Sequence, residues 1–174
     1  YDEWKNDKNF IPDLIRMLDN VITYFVENAP DTLSKAKFSA KMERSLGLGA
    51  MGFHAYLQRK NVPFESPMAV GVNKQMFGHI KKEAVNATET LAMERGEAPD
   101  AVGQGVRNVH LLAVAPNASS SIICGNTSPS IEPYRANAFT QKTKSGSSLL
   151  KNEYLEHILQ ELEEDTDEVW KSII

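Results

Sequence analysis

A serine-rich segment at residues 115–121 carries the residue types best suited to ligand binding in this sequence. It reads Ala-Pro-Asn-Ala-Ser-Ser-Ser and follows the apolar run 109–115, which has the length and composition of a buried parallel strand. Loops at the carboxyl ends of parallel strands are where α/β proteins place ligands. Serine hydroxyls and the free N–H groups of a following helix could hold a phosphate without a lysine. A serine-rich helix cap is the simpler alternative, and the residue types alone leave both open.

Three glycines, Gly47, Gly49 and Gly52, match the GxGxxG pattern of dinucleotide-binding turns. Such a turn brings backbone close to a pyrophosphate and would make the chain a dinucleotide-binding oxidoreductase. The pattern should follow a buried strand, whereas residues 41–44 are polar and charged. It should also precede an acidic residue by about 20 positions, where Val70 stands. The sequence therefore favours glycines that belong to a buried strand and let a helix pack closely.

The remaining nucleophilic and metal-binding residue types form no constellation. Cys124 is the only cysteine, which excludes an internal disulfide and a multi-cysteine zinc site. Between Ile123 and Gly125, we expect this thiol to be a small buried hydrophobe. The histidines are scattered, without the spacing of a metal site; they are His54, His79, His110 and His157. We therefore predict no catalytic residue and no metal ligand, and we expect His79 and His157 to face solvent.

Composition limits the classes of partner. The 174 residues include 19 basic and 23 acidic side chains, for a net charge of −4, whereas a general nucleic-acid binder usually carries a basic excess. No run approaches the ~20 apolar residues of a membrane span. Apolar residues make up 41% of the chain, enough for a core. We therefore expect neither nucleic acid nor membrane as a partner, while a non-catalytic interaction protein that uses its amphipathic helices remains an alternative.

Apolar periodicity and capping residues predict the elements that position these groups. Spacings of three and four predict a helix over about 11–27 and a longer one from Ser66-Pro67 to about Arg95. The order of the elements indicates an α/β fold. The other predicted elements are a surface connection or frayed helix at 31–44, a buried strand at 45–52, a short helix at 53–59, a loop at 96–107, strands at 109–115 and 136–143, a turn at 145–148, and helices at 155–162 and from Asp167.

Two blocks of sequence give the chain a specific family resemblance. The first joins Arg107-Asn108 to LLAVAPNASSS at 111–121, and the second joins Gly125-Asn126 to SIEPY at 130–134. In this order they resemble the large catalytic subunit of class I ribonucleotide reductase, which typically has APTxSxS or PTAST followed by SIEP or GIEP. The segments RSLGLG and PFES resemble two further parts of that family. The resemblance extends from about Phe10 to about Leu162. The residues around Asn117 and at 126–130 are most similar to those of phage-type reductases.

The resemblance implies a fold and a role for the serine-rich loop. The family fold is a ten-stranded α/β barrel of two parallel five-stranded halves, and this chain would be part of the later half, left open. The substrate would be a ribonucleoside diphosphate, reduced to the deoxyribonucleotide for DNA precursor synthesis. The loop would bind its diphosphate through N–H groups and hydroxyls. That role would fall on Asn117, Ala118, Ser119, Ser120 and Ser121, with Asn117 standing where the family usually has Thr.

The resemblance also implies what must come from elsewhere. The family's radical cysteine, its reducing cysteines, its radical-relay tyrosines, its N-terminal effector-binding region and its C-terminal cysteine tail have no match in residues 1–174, and Cys124 falls on none of them. We therefore expect residues 1–174, which begin with Tyr1 and not Met, to be a single barrel segment that is inactive alone and binds no cofactor. The expected partners are the rest of the large subunit, a small subunit whose metal generates the radical, and a second copy of the chain. The expected location is the cytoplasm of a bacterial or phage-infected cell.

Overall fold

Two compact units organise the chain in the computed structural model, which describes residues 1–143 and 146–173. The first unit combines Tyr1–Gly49 with Val70–Val114, and the second combines Ala50–Ala69 with the chain from Ala115 onward. The elements of the described residues are α1 (Phe10–Asn28), α2 (Ser34–Glu43), α3 (Phe53–Arg59), α4 (Pro67–Arg95), α5 (Ala118–Ile123), β1 (Ala138–Thr143), β2 (Gly146–Lys151), α6 (Glu153–Glu161) and α7 (Asp167–Ile173), with 3₁₀ turns at Asp31–Leu33 and Pro99–Ala101.

The two long helices confirm the predictions from periodicity and capping. In α1, Ile11 and Ile15 are buried, and the helix ends before Pro30, which cannot continue it. Helix α4 begins at Pro67, where the Oγ of Ser66 accepts a hydrogen bond from the N–H of Ala69 at 3.2 Å. It ends at Arg95. Of the two alternatives for the polar segment at 31–44, the structure has the helix: α2 follows a 3₁₀ turn and has no buried residue.

A buried carboxylate on α1 ties the first unit together. Asp19 is fully buried, on the same face as Ile11 and Ile15. Its Oδ1 accepts hydrogen bonds from Nε and Nη2 of Arg44 at 2.9 and 2.7 Å. Its Oδ2 accepts one from Nη1 of Arg95 at 2.9 Å. We call the group formed by Asp19, Arg44, Arg95, Arg107 and Asn108 the Asp19 cluster.

The carboxyl end of α4 stabilises part of the positive charge of the Asp19 cluster, which has three guanidinium groups and one carboxylate. Nη1 of Arg107 donates to the backbone carbonyls of Arg95 and Gly96, each at 3.1 Å. The last carbonyls of a helix lack intrahelical partners and carry a partial negative charge, so they stabilise this guanidinium. Burial alone would raise the pKa of Asp19, but hydrogen bonds from Arg44, Asn108 and Arg95 outweigh it and lower that pKa.

Residues 45–52 and 109–115 form far less sheet than predicted. Their pairing in the described residues is one parallel bridge between Leu48 and Leu112, supported by a hydrogen bond from the Leu46 N–H to the His110 carbonyl at 2.8 Å. The prediction of two extended strands, the second covered on both faces, is wrong for this chain, because Val114 remains 69% exposed. Parallel strands need neighbours on their edges and helices on both faces, which the described residues do not provide.

The second unit contains an antiparallel hairpin followed by two helices. Strand β1 pairs with β2, with Phe139 opposite Leu150. The strand predicted at 136–143 is therefore confirmed, starting at Ala138. The turn predicted at 145–148 is wrong from Gly146 onward, where β2 begins, and Ser145 lies outside the described residues. The side chain of Asn152 caps α6 by accepting from the N–H of Tyr154 at 3.2 Å.

Candidate anion-binding pocket

The serine-rich segment forms the short helix α5, as the sequence predicted. Asn117 precedes its first turn, and the Asn117 carbonyl accepts from the N–H of Ser121 at 2.9 Å. The N–H groups of Ala118, Ser119 and Ser120 come before this first helical bond, and these three residues are exposed. The segment therefore presents backbone donors and two exposed hydroxyls at one end of a helix.

A cavity of about 420 Å³ opens beside α5 within the second unit. Three of the five predicted residues, Ala118, Ser119 and Ser121, line its wall. The rest of the lining comes from α5, the following loop, and β1; it consists of Ile122, Asn126, Thr127, Pro129, Tyr134, Arg135, Phe139, Thr140 and Gln141. We call this cavity the α5 pocket. It brings the two blocks of the family resemblance, around 117–121 and 126–134, to one place.

The other two predicted residues do not line the α5 pocket. Nδ2 of Asn117 donates to the carbonyl of Ala115 at 3.0 Å, so its amide holds the turn that enters α5. Ser120 lies on an exposed part of α5 outside the lining. Among the lining residues, Ser121 is buried, and its hydroxyl donates to the carbonyl of Ala118 at 3.1 Å. Ser119 is therefore the exposed hydroxyl of the predicted set on the pocket wall.

The loop after α5 is fixed to the amino end of α3. The N–H of Gly52 donates to the carbonyl of Ser128 at 2.8 Å, and the N–H of Ala55 donates to the Oγ of Ser128 at 3.1 Å. Ser128 and Ser130 are both buried. Since the first N–H groups of a helix need acceptors from outside it, this loop serves as the cap of α3. The cap fixes the backbone that supplies one wall of the pocket.

Tyr134 continues this wall. Its hydroxyl donates to the carbonyl of Asn126 at 3.0 Å, across the loop. Burial, with the neighbouring Tyr154 and Glu153, raises the pKa of Tyr134 to about 12, so the phenol stays protonated and neutral at physiological pH. Tyr134 therefore contributes an aromatic surface and a structural hydrogen bond, without a charge that would repel an anion.

Sequence analysis missed Arg135, the cation on the pocket wall. It is exposed and sits among Thr140, Gln141 and the serines of α5 in the lining. A guanidinium offers a planar set of donors suited to phosphate oxygens. Arg135 could have been predicted as a site residue from its place directly after the SIEPY block at 130–134. That block served only to establish the family resemblance. With Arg135, the pocket combines a positive charge, hydroxyls and backbone donors.

The glycines of the GxGxxG pattern have packing roles. A Cβ on Gly49 would lie 2.6 Å from the carbonyl oxygen of Ala113, and one on Gly47 would lie 3.2 Å from the Cβ of Ala113. Gly52 has a φ of +82°, and its Cβ would lie 2.6 Å from Oγ1 of Thr127. Helix α2 precedes the pattern, where a dinucleotide-binding turn needs a strand. These observations disfavour the dinucleotide alternative.

The cysteine and the histidines named in the sequence analysis differ in their exposure to solvent. Cys124 directly follows the last residue of α5 and is exposed there, so the expectation of a buried thiol is wrong. His157 is exposed as predicted, whereas His79 is partly buried and contacts the rings of Tyr1 and Trp4. Across residues 1–143 and 146–173, no three His, Cys, Asp or Glu side chains come together in a way that could hold a metal ion. Within the same residues, no helix is long and apolar enough to cross a membrane.

Fold and pocket thus define an α/β chain with a candidate site for a phosphorylated ligand. The family model described as "Ribonucleotide reductase, barrel domain" matches residues 2–101 and 99–174. The chain belongs to this family, which confirms the resemblance and the assignment to an open part of the α/β barrel. The likeness to phage-type reductases in particular stays a prediction.

Individual relatives agree with the family model. The chain is 50% identical over 176 residues to the ribonucleoside-diphosphate reductase large subunit of Invertebrate iridescent virus 6, covering 100% of this chain and 18% of the relative. It is 50% identical over 177 residues to a putative large subunit of Frog virus 3, covering 100% and 31%. The class Id ribonucleotide reductase alpha subunit of Actinobacillus ureae superposes with a TM-score of 0.87 at 37% identity, covering 99% and 32%. The chain thus spans about a fifth to a third of the length of these relatives.

Proposed function

We propose that the chain supplies the substrate diphosphate-binding pocket of a ribonucleoside-diphosphate reductase large subunit. The substrate would be a ribonucleoside diphosphate, reduced to the deoxyribonucleoside diphosphate as a DNA precursor. The observation that carries the proposal is the α5 pocket, because it joins the serine-rich segment and the loop at 126–134 in one cavity. The names of the relatives, which are ribonucleoside-diphosphate reductase large subunits, support the same substrate class.

The chemistry of the pocket suits a diphosphate. The N–H groups at the start of α5, which have no partner within the helix, and the Ser119 hydroxyl would donate hydrogen bonds to phosphate oxygens, and Arg135 would add a positive charge. Ile122, Tyr134 and Phe139 give the remaining wall an apolar and aromatic surface on which the nucleoside part packs. Of the five predicted residues, Asn117 acts by shaping the turn that enters α5.

In this proposal the chain binds and orients, and other parts of the enzyme carry out the reduction. No residue of the described chain is assigned a catalytic role or a metal. The radical and reducing cysteines belong to the rest of the large subunit, and a small subunit with a metal supplies the radical when bound. Residues 1–174 act as one segment of the barrel domain, inactive alone, within a homo-oligomer in the cytoplasm of a bacterial or phage-infected cell.

Binding of inorganic pyrophosphate to the 174-residue chain tests the proposal, with isothermal calorimetry as the measurement. The double variant Ser119→Ala/Ser120→Ala removes both exposed hydroxyls of α5. It should weaken binding about twofold to fivefold, since Ser119 is the one of the two that lines the pocket and its hydrogen bond is worth about 0.5–1 kcal/mol. The matched control is Ser34→Ala/Ser39→Ala, which makes the same chemical change at exposed positions of α2.

The outcomes separate the proposed function from its rivals. Equal binding by the two double variants would show that the serines of α5 do not bind phosphate, as a non-catalytic interaction protein predicts. Binding of NAD in preference to pyrophosphate would favour the dinucleotide alternative at Gly47, Gly49 and Gly52. Restored reduction of a ribonucleoside diphosphate on mixing the chain with the complementary large-subunit segment and the small subunit would support the full proposal.

A further inference from the structure

The side chain of His54 is attached to the wall of the α5 pocket. His54 lies in the first turn of α3, and its Nδ1 accepts a hydrogen bond from the backbone N–H of Tyr134 at 3.4 Å. The next residue along the chain is Arg135, the cation of the pocket. A single hydrogen bond thus joins His54 to the chain segment that carries Tyr134 and Arg135, two residues of the pocket wall.

Two aromatic rings hold the imidazole in this position. The ring of Tyr134 lies at 5.6 Å and 73° to that of His54, and the ring of Phe64 lies at 5.6 Å and 74°. Both are edge-to-face arrangements, which aromatic pairs prefer. The imidazole is therefore held between two rings, with Nδ1 directed at the N–H of Tyr134.

The protonation state of His54 decides whether this attachment can form. A nitrogen that accepts an N–H carries no proton, so the neutral ring has its proton on Nε2. Imidazolium carries protons on both nitrogens, and its Nδ1–H would face the Tyr134 N–H, donor against donor. The hydrogen bonds that Ser128 and Ser130 accept from the amino end of α3 use groups that do not titrate.

We propose that His54 is a positioning residue for the α5 pocket: as a neutral imidazole it holds Tyr134 and Arg135 on the pocket wall, and its protonation releases them. The inference rests on the proposed function for its consequence on diphosphate binding, while the attachment itself is independent of any ligand. His54 contacts the pocket lining through Tyr134, so it acts through that residue as a positioning residue and not as a catalytic residue.

The surroundings of His54 favour the neutral form at neutral pH. Burial lowers the pKa of His54 below its usual 6.5. The side chain of Tyr134, which is in ring contact with the imidazole, stays neutral because its pKa is raised to about 12. The charged groups next in sequence to the two packing rings are Glu65, after Phe64, and Arg135, after Tyr134. Release therefore requires acidic conditions.

Nuclear magnetic resonance of the 174-residue chain without ligand tests the attachment. Imidazole ¹⁵N shifts should show the Nε2–H form of His54 at neutral pH, and the amide signals of Tyr134 and Arg135 should titrate with the His54 midpoint, below pH 6.5. In His54→Asn, Oδ1 replaces Nδ1 as a non-titrating acceptor, so these amide signals should stay at their neutral-pH positions in acid. His157→Asn, at an exposed position, is the control and should leave the titration unchanged.

Pyrophosphate affinity provides the second measurement. At neutral pH, His54→Leu should bind about fivefold more weakly than wild type, whereas His54→Asn should bind within twofold, with circular dichroism confirming that both are folded. The inference would be overturned if the amide signals of Tyr134 and Arg135 did not change with the titration of His54. It would also be overturned if His54→Asn bound pyrophosphate as weakly as His54→Leu. If wild type binds no pyrophosphate, the proposed function fails, and the ligand-free titration still decides the role of His54.

Discussion

The Asp19 cluster and the α5 pocket both collect polar groups, but they use them in opposite ways. In the Asp19 cluster, one buried carboxylate accepts from Arg44, Arg95 and Asn108, and the carbonyls at the end of α4 accept from Arg107. In the α5 pocket, the exposed residues Arg135 and Ser119 line an open cavity. Donors that are satisfied within the chain stabilise the fold, whereas donors directed at a cavity are available to a ligand.

The same contrast separates the charges by location. The guanidinium groups of the Asp19 cluster have a buried carboxylate partner, so replacing that partner should affect folding. The guanidinium of Arg135 is exposed, so replacing it should affect binding and leave folding nearly unchanged.

Replacement of the central carboxylate should have the largest effect. Asp19→Asn keeps the shape of the side chain but leaves three guanidinium groups without their counter-ion, and breaking a buried ion pair in this way costs about 3–5 kcal/mol of unfolding free energy. Chemical denaturation monitored by circular dichroism is the measurement. Asp13→Asn makes the same change at an exposed position of α1 and should alter stability only slightly. Equal stability of the two variants would contradict the structural role of the cluster.

Acid should weaken the Asp19 cluster in a defined pH range. Because the pKa of Asp19 is lowered in the folded chain from its usual 3.8, the carboxylate stabilises the fold above about pH 4, and this contribution is lost as the pH falls through the folded pKa. Wild type should therefore lose stability below pH 4 more steeply than Asp19→Asn, which has no such carboxyl. If the unfolding free energy of the two proteins fell equally with pH below pH 4, other carboxylates would dominate the loss of stability in acid.

Two glycine-to-alanine substitutions should change the stability of the chain by smaller amounts and in opposite directions. Gly52→Ala introduces a Cβ at a φ of +82° and 2.6 Å from Oγ1 of Thr127, which should cost about 1–3 kcal/mol and disturb the cap of α3. Gly71→Ala lies within α4 with nothing within 4 Å of the new Cβ, and should stabilise the chain by about 0.5–1 kcal/mol. Thermal unfolding of both variants is the measurement, and changes of the same sign would contradict these assignments.

Arg135 should show the smallest effect on stability and a clear effect on binding. Arg135→Ala should weaken pyrophosphate binding about threefold to tenfold, less than a buried charged hydrogen bond would contribute, because the residue is exposed and its charge is screened by solvent. The loss should shrink as salt is added. Lys35→Ala, at an exposed position of α2, removes the same charge and serves as the control. A matching loss in the control would attribute binding to net charge and not to the pocket.

Local signals in the sequence predicted the helices but not the sheet. Periodicity located α1 and α4, and Ser66-Pro67 marked the start of α4. The strands at 45–52 and 109–115 depend on partners that the described residues do not contain, so their apolar composition led to an overestimate of strand and of burial. The relatives are three or more times longer than the matched part, consistent with partners elsewhere in the large subunit.

The candidate site was predictable where a motif marked it and not where tertiary structure assembled it. The serine-rich segment led to Ala118, Ser119 and Ser121 on the pocket wall, whereas Arg135 follows no periodic pattern. Asp19 had an unused signal, since a carboxylate at the spacing of Ile11 and Ile15 lies on a buried helix face and needs cationic partners. Those partners come from three other segments of the first unit, which sequence alone does not bring together.

Mapping of pyrophosphate onto the amide signals of the 174-residue chain tests the central claim most directly. The claim is that the exposed donors of the α5 pocket, and not the glycine pattern or the Asp19 cluster, bind the phosphate groups. We expect saturable shifts at Ala118, Ser119, Ser120 and Arg135, with residues 47–49 and the Asp19 cluster unchanged. Shifts concentrated at residues 47–49, or no saturable shift at α5, would contradict it.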